Sequence, residues 1–305
     1  MEDFTLVQLE YFRVVAETGS MTAAATKLNT AQSTLSSAIA SLEQRFGIEL
    51  LRRIPRRGVK PTPAGSRLLG AATRLLDDAA GLTSVVRGDA DEVAGRIRIA
   101  VYSPLAPIYA PRIVAELEGR HPGLEVTFVE GDNHQLSSHL LRGQAEFALC
   151  YDIALGDGWD VEALRDIPPH AIVPHDHPLA RAQRRIHLDE LIDEPAVLLD
   201  MPTALQHYVG YFHTLGLEPN IRHTAKNYET VRAYVAAGLG YSLLNHRYEA
   251  RSPGASPAVS LPLADRLAPA RLCIVRPSGT IESRRGTVCR SAVRAIVDRT
   301  DAVVD

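Results

Sequence analysis

The sequence predicts an α/β protein headed by a separate all-helical unit of about 65 residues. Two observations carry this. The first three apolar patterns repeat at helical spacing, whereas from residue 96 onward strand-like and helix-like stretches alternate. The 305-residue length agrees, since roughly 150 residues per domain suggests about two domains.

The first helix opens at Thr5-Leu6-Val7-Gln8, which has the form of a capping box. Leu6, Leu9, Phe12 and Ala16 share one stripe, and Gly19 ends it. Ser20 caps a second, alanine-rich helix over Met21–Leu28, and Asn29-Thr30-Ala31 makes a short turn. The third helix, about Gln32–Phe46, carries Leu35, Ile39, Leu42 and Phe46 at spacings of 4, 3 and 4, which predicts one buried stripe. At 100° per residue, Ser33, Ser36, Ser37, Ala40 and Gln44 fall on the opposite side, flanked by Gln32 and Thr34. Such a slim, uncharged face suits a recognition helix, because small residues let it sit deep in a major groove while Gln and Ser reach base edges.

Ile48–Leu51 and Val59 read as short strands around Pro55-Arg56-Arg57-Gly58, a winged hairpin tip that exposes two arginines to phosphate. Charge supports this. Residues 1–67 hold nine Lys and Arg against six Asp and Glu, a net +3, while the rest of the chain carries −6. Within Arg45–Arg67, seven basic residues face only Glu49. A local basic block on an acidic protein is the footprint of a nucleic-acid-binding module. The expected DNA contacts are Gln32, Ser33, Thr34, Ser36, Ser37, Arg53, Arg56, Arg57 and Lys60.

These residues carry a resemblance. Leu9-Glu10-Tyr11-Phe12, Gly19-Ser20-Met21-Thr22-Ala23-Ala24-Ala25, Leu28, Gln32, Leu35-Ser36, Leu42-Glu43, Phe46-Gly47, Leu50-Leu51-Arg52-Arg53 and Thr62-Pro63-Ala64-Gly65 resemble the N-terminal signature of LysR-type transcriptional regulators. The match runs in order through about 60 residues. The chain departs from the family at Ser33 (usually proline), Ser37 (usually arginine) and Leu51 (usually phenylalanine). Ser37 removes a potential DNA contact, which shifts the expected affinity toward Arg53, Arg56, Arg57 and Lys60.

Thr62-Pro63 starts a linker helix, with Thr as N-cap and Pro at the first position. Leu68, Ala72, Leu75, Ala79, Leu82 and Val86 follow at heptad spacing, a seam that predicts pairing with a second chain. Gly70 and Gly81 weaken the isolated helix, so it depends on a partner. The resemblance implies the same pairing, as a homodimer or homotetramer. The expected domains are 1–63, a winged helix-turn-helix; 64–92, the dimerising linker; and 93–305, an effector domain.

In the last of these, Ile97, Ile99 and Val101 alternate in a strand that stops at Ser103-Pro104. A helix (Ala106–Arg120), a strand (Leu124–Val129), a helix (Gln135–Arg142) and a strand (Phe147–Tyr151) follow. This alternation predicts a parallel sheet with ligands beyond its strand ends. Further on come Ala171-Ile172-Val173, the helix Leu188–Ile192, the strand Ala196–Leu199, a helix to Leu215, a helix from Asn227 to Ala237 and the strand through Gly238–Asn245. His177-Pro178-Leu179-Ala180 and Val235–Leu244 again resemble the LysR-type effector domain, although Asn245 replaces the family's usual proline. The resemblance implies a two-lobed, periplasmic-binding-protein-like (type 2) effector domain. Lobe 1 would be about 93–163 and 267–305, and lobe 2 about 164–266. It also implies that a small polar effector sits between the lobes, against Ser103, Tyr151, Met201, Thr203, Asn227 and Tyr228. Ser103 and Thr203 each stand at an expected helix start, where an anion or an ordinary cap is equally accommodated.

Several classes are disfavoured. No apolar run reaches the 18 residues of a membrane span, and Met1-Glu2-Asp3 is acidic where a secretory signal is basic, so a cytoplasmic protein without membrane contact is expected. Cys150, Cys273 and Cys289 are few, odd in number and lack CxxC spacing, which argues for buried thiols over a disulfide frame or zinc site. His175-Asp176-His177 lacks a third ligand at suitable spacing, and no catalytic motif stands at a strand-to-helix junction. No metal, cofactor or enzymatic activity is expected. Two alternatives to a ligand-responsive regulator stay open: a cytoplasmic small-molecule-binding protein without DNA readout, and a thiol-based redox sensor.

Overall fold

The computed structural model describes residues 4–54, 58–86, 93–153, 155–181, 184–246, 258–280 and 282–300. Three hydrophobic cores organise them, one at the N-terminus and one in each of two α/β lobes.

The N-terminal core joins α1 (Leu6–Thr18), α2 (Met21–Lys27) and α3 (Gln32–Phe46). The capping box forms: Gln8 N–H donates to Thr5 Oγ1 at 3.1 Å, and Thr5 N–H donates to Gln8 Oε1 at 2.9 Å. Leu9, Phe12, Val15, Ala24, Leu35, Ile39 and Leu42 are buried together. Two stripe residues depart from expectation. Leu6 is exposed because it lies in the first turn, and Phe46, 38% exposed at the helix end, rests against Phe4 with ring centroids 5.8 Å apart.

The wing is an antiparallel pair, β1 (Leu51–Ile54) and β2 (Gly58–Pro61), in which Leu51 faces Pro61. The strand expected from Ile48 begins only at Leu51. Leu50 and Leu51 instead donate their N–H groups to Glu43 Oε1 at 2.8 and 3.0 Å, which fastens the wing to α3. Helix α4 (Pro63–Val86) is capped as expected, with Gly65 N–H donating to Thr62 Oγ1 at 3.0 Å. A Cβ on Gly65 would fall 1.9 Å from the Leu50 oxygen, so only glycine lets α4 leave the wing at this angle.

Lobe 1 is built on β3 (Gly95–Tyr102), α5 (Ala106–Arg120), β4 (Leu124–Gly131), α6 (Asn133–Leu141), β5 (Ala148–Tyr151) and β6 (Trp159–Ile167). Lobe 2 follows with β7 (His170–Val173), β8 (Ala196–Leu199), α7 (Ala204–Thr214), β9 (Ile221–Ala225), α8 (Tyr228–Ala236), β10 (Ser242–Leu244) and β11 (Val259–Pro262). The chain then returns to lobe 1 through β12 (Ala270–Pro277) and α9 (Arg284–Thr300). Leu188–Leu191 is one 3-10 turn rather than the expected helix.

The lobe 1 sheet has the order β4-β3-β5-β12-β6. It is mixed rather than parallel: β3 runs parallel to β4 and β5, whereas β12 is antiparallel to β5 and β6. The cause is the excursion of the chain into lobe 2, because β12 re-enters from the opposite end. In lobe 2, β7 lies between β10 and β11, antiparallel to both, and β8 runs parallel to β9. The sheets are linked at Pro168-Pro169 and again between Leu263 and Ala270.

Candidate nucleic-acid interface and inter-lobe cleft

The polar side of α3 faces outward. Gln32, Ser33, Thr34, Ser37, Ala40 and Gln44 are exposed and Ser36 is half-buried, while Leu35, Ile39 and Leu42 on the other side are at most 3% exposed. Ala31 holds the N-cap position and supplies no side-chain acceptor, so the first-turn N–H groups end at an exposed, uncapped terminus suited to phosphate. Gln32 Oε1 accepts from Thr22 Oγ1 at 3.5 Å, tying the start of α3 to α2.

On the wing, Arg52, Arg53 and Lys60 are exposed. Arg56 and Arg57 lie outside the described residues. The wing is seated from below: Val59 N–H donates to the Gly19 oxygen at 2.9 Å. A Cβ on Gly58 would fall 2.1 Å from that oxygen, and φ there is +84°, so glycine is required at the base of the tip. α3 and the wing are therefore held as one rigid surface by Glu43 and by this contact.

Along α4, Leu68 pairs with the N-terminal core and Ala72 is buried within it, so their apolar character is already satisfied inside one chain. Leu75 is 44% exposed, and Ala79 is half-buried. The side chains of Leu82 and Val86 lie outside the described residues.

The six expected cleft residues divide in use. Ser103 begins a 3-10 turn after β3 and is half-buried. Met201 packs against both lobe cores. Thr203, at the N-cap of α7, has φ +70° and makes no side-chain capping bond, a strained state of the kind that clusters at ligand sites. Asn227 acts as a cap, its Oδ1 accepting from Thr230 N–H at 2.7 Å, and is exposed. Tyr151 and Tyr228 are buried and meet through a residue that sequence reasoning missed, His246.

His246 stands two positions beyond β10. Its backbone is fixed to lobe 2, where the Tyr228 hydroxyl accepts from the N–H of Asn245 (3.1 Å) and of His246 (3.2 Å) and donates to the His246 oxygen (3.3 Å). Its ring crosses to lobe 1. Nε2 lies 2.9 Å from the Tyr109 hydroxyl on α5, and Nδ1 is hydrogen-bonded to the Tyr151 hydroxyl at the end of β5. Tyr102 stacks edge-on against Tyr151 at 5.7 Å, and His207, Tyr208 and Tyr211 form a second aromatic group on α7. Burial drives these groups toward their neutral forms. It pulls the His246 imidazole down to about 4, with the Arg165 cation adding to the effect, and pushes the Tyr211 phenol up to about 12.

His177, in the His175-Asp176-His177 stretch that lacks a third ligand at suitable spacing, has both ring nitrogens engaged. Nε2 meets the Glu194 carboxylate at 2.9 Å, and Nδ1 accepts from Leu179 N–H at 3.1 Å. The three cysteines are all buried.

Comparison with known proteins agrees in both halves. Residues 6–66 match the family described as the bacterial regulatory helix-turn-helix protein, lysR family, and residues 90–298 match the LysR substrate binding domain. A probable hydrogen peroxide-inducible genes activator of Mycobacterium avium is 31% identical over 242 residues, 79% of this chain and 77% of that protein. The HTH-type transcriptional regulator CysB of Burkholderia cenocepacia is 29% identical over 245 residues, 78% of each chain. The crystal structure of HinK, a LysR family transcriptional regulator from Pseudomonas aeruginosa, superposes with a TM-score of 0.63 at 30% identity, covering 96% of this chain and 98% of that one.

Proposed function

The chain belongs to the LysR family of DNA-binding transcription regulators, and on that premise we propose which of its surfaces read DNA and which receive the effector. The family is one of regulators with an effector-binding domain, not of enzymes. Gln32, Ser33, Thr34, Ser36 and Ser37 enter the major groove, while Arg53, Arg56, Arg57 and Lys60 hold phosphate. The observation that carries this reading is the outward polar face of α3, rigidly joined to an exposed basic wing.

The linker, residues 64–92, pairs two chains through the part of the seam that the N-terminal core leaves free, from Leu75 through Ala79 and Leu82 to Val86, with Leu68 and Ala72 at its inner end. The assembly is a homodimer or homotetramer acting in the cytoplasm, where it meets a promoter. Among the described residues no helix is long and apolar enough to cross a membrane. The effector domain, residues 93–305, takes its ligand between the lobes, against Ser103, Tyr151, Met201, Thr203 and Tyr228, with Asn227 at the rim. An effector shifts DNA binding only by preferring one arrangement of the assembly.

Thiol oxidation is the weaker route for this chain, although some relatives are named as hydrogen peroxide-inducible activators. Its cysteines are buried, and the Cys150 and Cys289 thiols are pushed up, away from the reactive thiolate. Genome-wide footprinting with the purified chain tests the assignment. It should protect sites of two-fold symmetry with half-sites about 34 Å apart or a multiple of that. Ligand binding without any protected site would favour a small-molecule-binding protein instead.

A further inference from the structure

The inter-lobe cleft is already filled by the protein itself. The His246 ring, 5% exposed as a residue, lies between two phenol hydroxyls of the opposite lobe and edge-on to Tyr109, with centroids 5.6 Å apart and planes at 86°. A neutral imidazole offers one N–H and one lone pair on opposite edges. One tyrosine therefore accepts a hydrogen bond from the ring and the other donates one to it. Beside it, the Asn245 Oδ1 atom is buried and has no hydrogen-bond partner among the described residues, although its Nδ2 reaches the Ile167 oxygen and the Tyr211 hydroxyl.

We propose that His246 is an internal occupant of the effector site, and that the effector displacing it is a small, flat, uncharged molecule carrying both a hydrogen-bond donor and an acceptor. The inference rests on the reading that the effector enters between the lobes. Three features argue for an uncharged ring rather than an ion. The hydroxyl pair of Tyr109 and Tyr151 satisfies a donor and an acceptor, and Asn245 Oδ1 offers a further acceptor to an incoming N–H or O–H. The surrounding wall is aromatic, with Tyr102, Tyr208 and Tyr211 adding faces and edges to which a flat molecule stacks. Both ring nitrogens of His246 are held by uncharged hydroxyls rather than by an ionised side chain, so no charge-assisted bond offsets the cost of burying an ion in its place.

The imidazole also explains how such an effector acts. His246 is the point at which a lobe 2 backbone holds two lobe 1 side chains, so its displacement releases the lobes from this bridge and couples cleft occupancy to their separation.

The test uses the full chain and two isosteric probes, benzamide and benzoate, which share a flat ring and differ in charge. In ring-15N histidine spectra of the wild-type chain, benzamide at millimolar concentration should shift the His246 resonances, and benzoate should leave them in place. Shifts caused by benzoate alone, or by neither probe, would overturn the proposal. A second arm removes the occupant. His246→Ala should bind neutral imidazole at alkaline pH about tenfold or more tighter than wild type, and should not bind formate. Equal imidazole binding by the two chains would sink the internal-occupant assignment. The cleft reading fails separately: a transcriptional response unaffected by substitution of Ser103 and Thr203 removes it, whereas a response that needs them while the His246 signals stay still removes only this inference.

Discussion

Gly70 of α4 and Gly143, just beyond α6, meet backbone against backbone. A Cβ on Gly70 would fall 2.5 Å from the Gly143 Cα and 2.7 Å from the Arg142 oxygen, and Gly143 itself holds φ +64°. This is where the linker helix lies on lobe 1. At the other end of α6, Asn133 Nδ2 donates to the Tyr151 and Ile153 oxygens at 3.2 and 2.7 Å. One short helix thus joins the turn that meets the linker to the strand end that carries the cleft tyrosine.

Gly70→Ala should pry α4 from lobe 1. Overpacking of this kind costs about 1–3 kcal/mol. Amide exchange should rise around Gly70 and in residues 139–145 while α1–α3 keep their protection, because Leu68 and Ala72 still hold α4 to their core. Unchanged exchange in both segments would show that the contact does not hold the helix.

Phosphate and base contacts should separate in a salt titration. Arg53→Ala and Lys60→Ala each lower the slope of log affinity against log salt by about 1 and weaken all sequences alike. Gln32→Ala should leave the slope unchanged and cost about 1–3 kcal/mol of discrimination at the base it reads. A Gln32 variant with altered slope and intact selectivity would reverse these roles.

The cysteines should ignore oxidants. Cys150 and Cys273 face each other across β5 and β12, and the Cys273 thiol donates to the Cys150 oxygen at 3.3 Å. Hydrogen bonding with Cys273 and burial push the Cys150 thiol well up, and burial pushes Cys289 to about 12. Thiol counting on the native chain after mild peroxide treatment should find all three intact, with operator affinity unchanged. Rapid sulfenate formation at Cys150, or a peroxide response lost when all three become serine, would restore the redox reading.

His246 predicts an acid-sensitive fold. Burial first, then Arg165, lower its folded value to about 4 from the ordinary 6.5. The unfolded chain therefore binds more protons in between, so stability is complete above pH 6.5 and falls as the pH drops toward 4. The full window corresponds to roughly 3 kcal/mol. Between neutral pH and about pH 4, wild type should lose more stability than His246→Gln in matched denaturant melts; equal losses would contradict this.

Where one element's own periodicity sets its structure, the sequence could be read directly. Helices α3 and α5 run over the residues that the spacing of Leu35, Ile39 and Leu42 and the Ser103-Pro104 stop predict. Strand β6 escaped because it is an edge strand whose Asp160, Glu162 and Arg165 interrupt its apolar residues, and its pairing with β12 spans more than 100 positions. The cleft was half legible. Tyr151 and Tyr228 stand at element ends where ligands gather, but Tyr109 lies inside α5, 137 residues from its partner His246. Nothing local marks such a pair. Asn227 stays ambiguous at the level of sequence, since a cap and a ligand contact share one signature, and its Oδ1 caps α8.

The most direct measurement is operator affinity over a salt series for wild type and for a chain carrying Gln32→Ala and Ser36→Ala. An outward α3 face that reads bases predicts steep salt dependence in both, with preference for the footprinted site over random duplex largely lost in the variant. Affinity that stays flat with salt, or undiminished site preference in the variant, would contradict the account.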